Sequence, residues 1–239
     1  HPINYADVLS DAARHHWPVA TRQRMVDALA AHLDERPAVR VPVAQALLAF
    51  GDPRGGAALL ALYRQFPRGA THEDAGTALE ALDPAVDAGV QQALLAWLPE
   101  TRGAQREDLI YLLGAVAARH PDAAALREIV PQFIADLDDA DPRLREAAAR
   151  TLGALGDVRA VPALLERVPD PASRVREQAI LALGRTPDPR RRAVVPLIAR
   201  LSDEPSPRLA RTAAAALEAL TGQHFGEDAA QWTAWWQQQ

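Results

Sequence analysis

The fold is decided by one stretch, from Asp141 to Val168, which reads DPRLREAAARTLGALGDVRAVPALLERV. Its first half spaces apolar residues at i, i+3, i+4, i+8 and i+11, and its second half at i, i+3, i+4 and i+7. The two sets are Leu144, Ala147, Ala148, Leu152 and Leu155, then Val161, Leu164, Leu165 and Val168. The stretch therefore predicts two amphipathic helices, A and then B, joined by a short turn.

The same pair of helices recurs along the chain. Stripes like that of helix B begin at Val26, Gly56, Val90, Val130, Val161, Val194 and Trp232, about 34 residues apart on average. Prolines near the predicted starts of A helices fit the first helical turn, where a missing N–H costs little. Gly156-Asp157 and Gly51-Asp52 predict a left-handed glycine that ends one helix and an aspartate that caps the next turn.

These residues resemble a HEAT repeat of the short bacterial kind called phycobilisome-lyase-like. The resemblance rests on Asp141-Pro142, on Arg145 after the first apolar position, on the Leu-Gly-x-Leu-Gly-Asp run 152–157, and on Val161-Pro162. Further matching stretches are Arg174 to Gly184 and Arg36 to Asp52, and Leu220 to Trp236 is similar to an ending seen in bacterial proteins of this type. The resemblance implies a right-handed α-solenoid.

Repeats and resemblance together predict an all-α protein, a right-handed α-solenoid of about seven HEAT-like helix pairs. We expect a single domain over residues 1–239. Residues 221–239 are expected to form a Trp-rich cap, because Trp232, Trp235 and Trp236 occupy the B stripe and would cover the open end of the last pair.

Composition and charge restrict the function. The chain has no cysteine and no lysine, which excludes disulfides, thiolate nucleophiles, cysteine metal sites and Schiff-base chemistry. A net charge of −5 and a pI near 5.8 argue against a broad nucleic-acid surface. No apolar run reaches the length of about 18 residues that a helix needs to span a membrane. Abundant alanine and arginine without lysine indicate a GC-rich bacterial genome.

Helical geometry gives a candidate binding surface. With the core stripe at positions 1, 4, 5 and 8 of a B helix, positions 6 and 7 point away from the core. In HEAT folds the resemblance implies that this is the concave face. The predicted partner-binding residues are His32, Leu62, Leu95, Asp136, Glu166, Arg167 and Arg200. A Leu62/Leu95 patch would suit a partner segment; alternatively, both leucines contact neighbouring helices of a tightly curved superhelix.

Other arginines and carboxylates have architectural interpretations. Arg145 and Arg176 occupy the same place in successive repeats and resemble the arginine ladder of HEAT arrays, with Asp157 as a partner. The acidic run from Asp136 to Asp141 lacks the pattern of a calcium loop. The basic triplet 190–192 could touch a phosphate or an acidic partner.

A metal site is not predicted. His72-Glu73 resembles the His-Glu pairs of HEAT-repeat deoxyhypusine hydroxylases, where the resemblance implies a di-iron site built from several pairs. A single pair cannot assemble that site, and we expect His72 near a helix N-terminus instead.

We predict a non-catalytic interaction scaffold that binds a protein or peptide on the concave B-helix surface, without a cofactor, metal or nucleic acid, and monomeric by itself. The alternative is an enzyme or accessory resembling the bilin lyases, which would bind a tetrapyrrole. A DNA-glycosylase-like HEAT protein is a third hypothesis.

The chain begins with His1, so we expect either removal of a leader or anchor, or a piece of a longer protein. Cytoplasm and periplasm both stay open.

Overall fold

The structure is a computed structural model that describes residues 17–80, 88–120 and 124–239. Within these ranges the chain forms fourteen α-helices and two 3-10 helices, Leu98–Glu100 and Val158–Ala160, and no strand. The α-helices are α1 (Val19–Ala30), α2 (Pro37–Ala49), α3 (Pro53–Gln65), α4 (Ala70–Glu80), α5 (Ala88–Trp97), α6 (Gly103–Arg119), α7 (Ala124–Glu128), α8 (Val130–Asp136), α9 (Pro142–Leu155), α10 (Val161–Arg167), α11 (Ser173–Arg185), α12 (Val194–Asp203), α13 (Pro207–Thr221) and α14 (Ala229–Trp236). The all-α prediction is confirmed. No helix in the described ranges is long and apolar enough to cross a membrane.

The chain divides into two compact units, His1–Glu100 and Thr101–Gln239. In the first unit, α2 packs against α1, α3 and α4, and α3 also packs against α4 and α5. The prediction of one domain over residues 1–239 stays a prediction.

The second unit contains two sets of helices. Its A helices, α6, α9, α11 and α13, pack against one another in succession; we call them the A row. Its B helices, α8, α10 and α12, each pack against the A helix that follows; we call them the B row. The C-terminal α14 packs against α12.

The predicted apolar stripes form the core. The whole α9 stripe is buried, as is the first position of every B stripe. Small residues on the A row allow close approach: a Cβ added at Gly153 would lie 2.8 Å from Ala182, and one at Gly184 would lie 2.9 Å from Ala216. The same place in successive A helices therefore requires the smallest side chain.

The turns between helices A and B form as predicted. Gly51 and Gly156 end α2 and α9 with φ of 73° and 59°, the left-handed region that glycine adopts without strain. The Asp157 carboxylate then accepts a hydrogen bond from the Arg159 N–H at 2.9 Å, as Asp52 does from Arg54. Glycine and aspartate together thus set the sharp change of direction.

The C-terminal helix contains the aromatic cluster. Trp232 is fully buried, and its indole N–H donates to the Gly226 carbonyl at 2.8 Å. Trp235 and Trp236 are half-buried. The indole of Trp232 meets the ring of Phe225 edge-on, with 4.9 Å between centroids. One tryptophan therefore fills the core beside α12, and the cap role of the whole cluster stays a prediction.

Candidate functional site

Asp136, a predicted partner-binding residue, lies inside the structure. Its carboxylate is 8% exposed and accepts two hydrogen bonds from the Arg106 guanidinium, at 2.7 Å from Nε and 2.9 Å from Nη2. Its prediction as an exposed binding residue is wrong, because Asp136 ties the end of α8 to the start of α6.

Two further ion pairs repeat this geometry along the A row. Arg145 on α9 binds the Asp170 carboxylate through Nε and Nη2, both at 2.9 Å. Arg176 on α11 binds Glu204 in the same way, at 3.1 and 3.0 Å. We call the three pairs, Arg106–Asp136, Arg145–Asp170 and Arg176–Glu204, the inter-repeat clamps. The predicted ladder exists, but its proposed partner Asp157 is wrong.

The partners differ from prediction because of the side of the repeat that each arginine faces. Arg145 sits in the first turn of its helix, beside the turn between repeats, where Asp170 lies. Asp157 lies at the other end of that helix, in the turn within the repeat, and binds Arg159. The end of the helix at which each residue lies therefore decides the pairing, and its distance in sequence does not.

Arg167 and Arg200 lie beside the clamps. Arg200 lies 3.4 Å from Glu204, and Arg167 lies 4.0 Å from Asp170 and 3.3 Å from Asp138. Their side chains are 21% and 23% exposed, respectively. Each therefore adds a second guanidinium to a clamp carboxylate, and a role in partner binding stays a prediction for both.

Burial and hydrogen bonding shift the pKa values of Asp136 and Asp170 in opposite directions. Burial raises the pKa of Asp136 above its ordinary value, and the hydrogen bonds from Arg106 oppose only part of that effect. Burial also acts to raise the pKa of Asp170, but the bonds from Arg145 and from the Ala172 N–H outweigh it and hold that pKa below its ordinary value. Asp170 is thus held in its charged form more firmly than Asp136.

The predicted leucine patch in the first unit is not a surface patch. Leu62 is fully buried on α3, and Leu95 on α5 is half-buried. The prediction that Leu62 is exposed is wrong, because α3 packs against α2, α4 and α5 and its side chain is buried. Its burial agrees with the alternative of contact with neighbouring helices. His32 is exposed and lies 2.8 Å from Glu35.

Glu166 lies on an open surface of the B row. Along the first two turns of these helices, the exposed residues lie at stripe positions 2 and 6: Pro131 and Ala135 on α8, Pro162 and Glu166 on α10, and Val195 and Ala199 on α12. We call these six residues the B face. Val195 is 55% exposed, and the Glu166 side chain is 69% exposed. Three helices thus present small or apolar side chains with one carboxylate.

Position 2 is the part of this surface that the sequence analysis missed. Positions 2 and 6 are about one helical turn apart and share a face, whereas position 7 is rotated by about 100° from position 6. In the B row that rotation carries Asp136, Arg167 and Arg200 towards the clamps. The signal in the sequence is the proline or valine at position 2, next to the first buried residue of the stripe. An apolar residue that is exposed at this place marks the side of the helix that faces away from the core.

The remaining candidates have local structural roles. His72 is the third residue of α4, as expected for a helix start, and its ring stacks on Tyr63 with centroids 4.0 Å apart. Asp139 and Asp141 accept backbone N–H bonds at the turn before α9, at 2.7 and 2.9 Å. No group of three His, Asp or Glu side chains placed to hold a metal ion occurs in the described part of the chain.

This helix-pair geometry agrees with the comparison by sequence. A model of HEAT repeats matches residues 92–184 and 130–218, which together span just over half of the 239 residues. The chain belongs to the HEAT-repeat family. The likeness to phycobilisome-lyase repeats in particular stays a prediction. No curated protein matches the chain.

Solved structures show the same α-solenoid fold for this HEAT-repeat protein. Two are crystal structures of engineered proteins: one is 18% identical with a TM-score of 0.56, over 82% of this chain and 96% of the other. The second is 21% identical with a TM-score of 0.57, over 90% of this chain and 63% of the other. A designed armadillo repeat protein in complex with a (KR)4 peptide is 13% identical, with a TM-score of 0.57 over 91% and 100%.

Proposed function

We propose that this HEAT-repeat protein is a non-catalytic scaffold that binds an extended, basic protein segment across its B face. The observation that carries the proposal is the composition of that face: small and apolar side chains, with Glu166 as its charged group. Small side chains leave room for the backbone of a partner, and exposed apolar groups gain from being covered.

The charge around the B face favours a basic partner. Asp138, just after α8, has a side chain that is 72% exposed, and Asp203 at the end of α12 is exposed. Together with Glu166 they place one carboxylate beside each B helix. Arg167 lies 3.3 Å from Asp138 and 3.8 Å from Glu166 and offsets part of this charge, so a segment that crosses the row meets three carboxylates and one arginine. Complementary charge of this kind steers association and sets the register of a partner. The designed armadillo neighbour holds a peptide of lysine and arginine on a fold of the same class.

The buried carboxylates support a scaffold rather than an enzyme. Asp136, Asp170 and Glu204 each accept two hydrogen bonds from an arginine. A carboxylate held in this way stabilises the packing of repeats, whereas a general acid or base needs access to a substrate proton.

Two matched substitutions test the proposal. A library of random peptides displayed on phage is selected against the wild-type protein, and the selected peptides are measured by fluorescence anisotropy with Ala199→Arg and Ala215→Arg. Both alanines are exposed, on α12 of the B row and α13 of the A row. We expect peptides rich in lysine and arginine that bind Ala199→Arg about tenfold more weakly, which is about 1.4 kcal/mol, and Ala215→Arg unchanged. Equal affinity for all three proteins, or selected peptides without basic residues, would overturn the proposal.

A further inference from the structure

The loop between α11 and α12 contains the basic triplet 190–192. Its backbone is held by a buried aspartate, Asp188. The Asp188 side chain is 2% exposed and accepts bonds from the Arg190 N–H at 3.1 Å, the Arg192 N–H at 3.0 Å and the Arg192 Nε at 2.9 Å. These bonds outweigh the effect of burial and hold the pKa of Asp188 below its ordinary value. The negative charge of Asp188 is therefore balanced within the loop, by the guanidinium of Arg192.

The other arginines of the loop keep their charge uncompensated. Arg185 at the end of α11 and Arg190 are exposed, and Arg191 is half-buried. Among the described residues, none of the three has a carboxylate within ion-pair distance. Arg191 has a φ of 49°, a left-handed conformation that is unfavourable for arginine. The backbone N–H groups of Arg190 and Arg192 on either side of it both donate to Asp188 and hold it there.

The neighbouring turn adds a further arginine, which is paired with the aspartate of that turn. Asp157 is 9% exposed and accepts a bond from the Arg159 guanidinium at 2.7 Å, while the Arg159 side chain is 51% exposed. The two turns adjoin, because a Cβ added at Gly156 would lie 3.7 Å from the Arg185 carbonyl oxygen. In both turns the aspartate points inward and arginines point outward. We call Arg159, Arg185, Arg190 and Arg191 the guanidinium edge.

We infer that the guanidinium edge binds an acidic segment of a partner protein. A guanidinium matches a carboxylate with two parallel hydrogen bonds, and a loop fixed by buried Asp188 loses little conformational freedom on binding. The edge spans only two turns, and exposed arginines beyond it on the A row, Arg143 and Arg174, lie beside Glu107 and Glu146, so a long nucleic acid would gain little from extending past the edge. Binding through a small exposed patch will weaken steeply with salt. The inference is independent of the B face.

The test uses a short fluorescein-labelled peptide of alternating glutamate and glycine, titrated at low salt and followed by anisotropy. Arg185→Gln/Arg190→Gln removes two charges from the edge. The control, Arg143→Gln/Arg174→Gln, also removes two exposed arginines, but these lie 3.8 and 4.0 Å from Glu107 and Glu146. We expect binding about tenfold weaker for the edge variant and changed by less than about twofold for the control.

Three results would overturn the inference. They are no binding to the wild-type protein, an equal loss in both variants, which would show an effect of overall charge, and tighter binding of a duplex DNA that depends on the same arginines. Thermal unfolding followed by circular dichroism confirms that both variants are folded, so that a loss of binding reports on the surface.

Discussion

Asp170 shows at the scale of one residue how successive repeats are joined. Its carboxylate binds Arg145 on α9, and its carbonyl oxygen accepts a bond at 2.9 Å from Nη1 of Arg176 on α11. The backbone N–H of Ala172 donates to the same carboxylate at 2.9 Å. A single aspartate therefore fixes the turn between repeats and the helices on both sides of it.

Replacing this carboxylate should destabilise the second unit strongly. Asp170→Asn leaves Arg145, whose side chain is 11% exposed, without its charged partner. We expect a loss of about 3 kcal/mol in the free energy of unfolding, measured by urea denaturation. Asp138→Asn, at a carboxylate 72% exposed, is the control and should change it by less than about 1 kcal/mol.

The difference should depend on pH in one direction. Because the pKa of Asp170 is lowered in the folded protein, its contribution is complete above the ordinary aspartate pKa of about 3.9 and disappears as the pH falls through the lower folded value. The gap between wild type and Asp170→Asn therefore closes in acid. A gap that stays constant down to complete protonation would show that packing, not charge, explains the loss.

The sequence predicts the residues of the clamps better than their pairing. The recurrence of Arg145 and Arg176 at one position of helix A is visible without a structure. Their partners lie 25 and 28 residues away, in turns whose orientation depends on the packing of whole helices. The sequence does not predict the burial of Asp136 for the same reason, because its partner Arg106 is 30 residues away, on α6.

At the scale of the elements, close packing along the A row depends on glycine. The stripe spacing predicted which helix faces are buried, because periodicity alone fixes the face. It did not show that Gly153 meets Ala182 on the next helix, since this contact depends on the register between the two helices. The prediction that Leu62 is exposed is wrong for a related reason: the residues that cover it belong to other helices.

A glycine substitution tests this register. Gly153→Ala adds a methyl group 2.8 Å from Ala182, and we expect the overpacking to lower the free energy of unfolding by about 1–3 kcal/mol. The second change Ala182→Gly should restore part of the loss. Gly89→Ala is the control, because nothing lies within 4 Å of its added Cβ, and it should be neutral or stabilising by up to about 1 kcal/mol. Equal losses in both single variants would rule out the contact as the cause.

On the scale of the whole molecule, exposed charge in the second unit is separated between the A row and the B row. Every exposed charged residue on the A row helices is an arginine, whereas those on the B row helices are Glu166 and Asp203. The net charge of −5 hides this separation. Composition could therefore not locate either the B face or the guanidinium edge, because both depend on which charges are paired within the clamps and turns.

The central claim is that partners bind across the B face. It is tested most directly by hydrogen–deuterium exchange and mass spectrometry on the full chain, with and without a saturating amount of a peptide selected for binding. We expect slower amide exchange in α8, α10 and α12 of the complex, with α9, α11 and α13 changed little. Protection confined to the A row, or to the first unit, would contradict it.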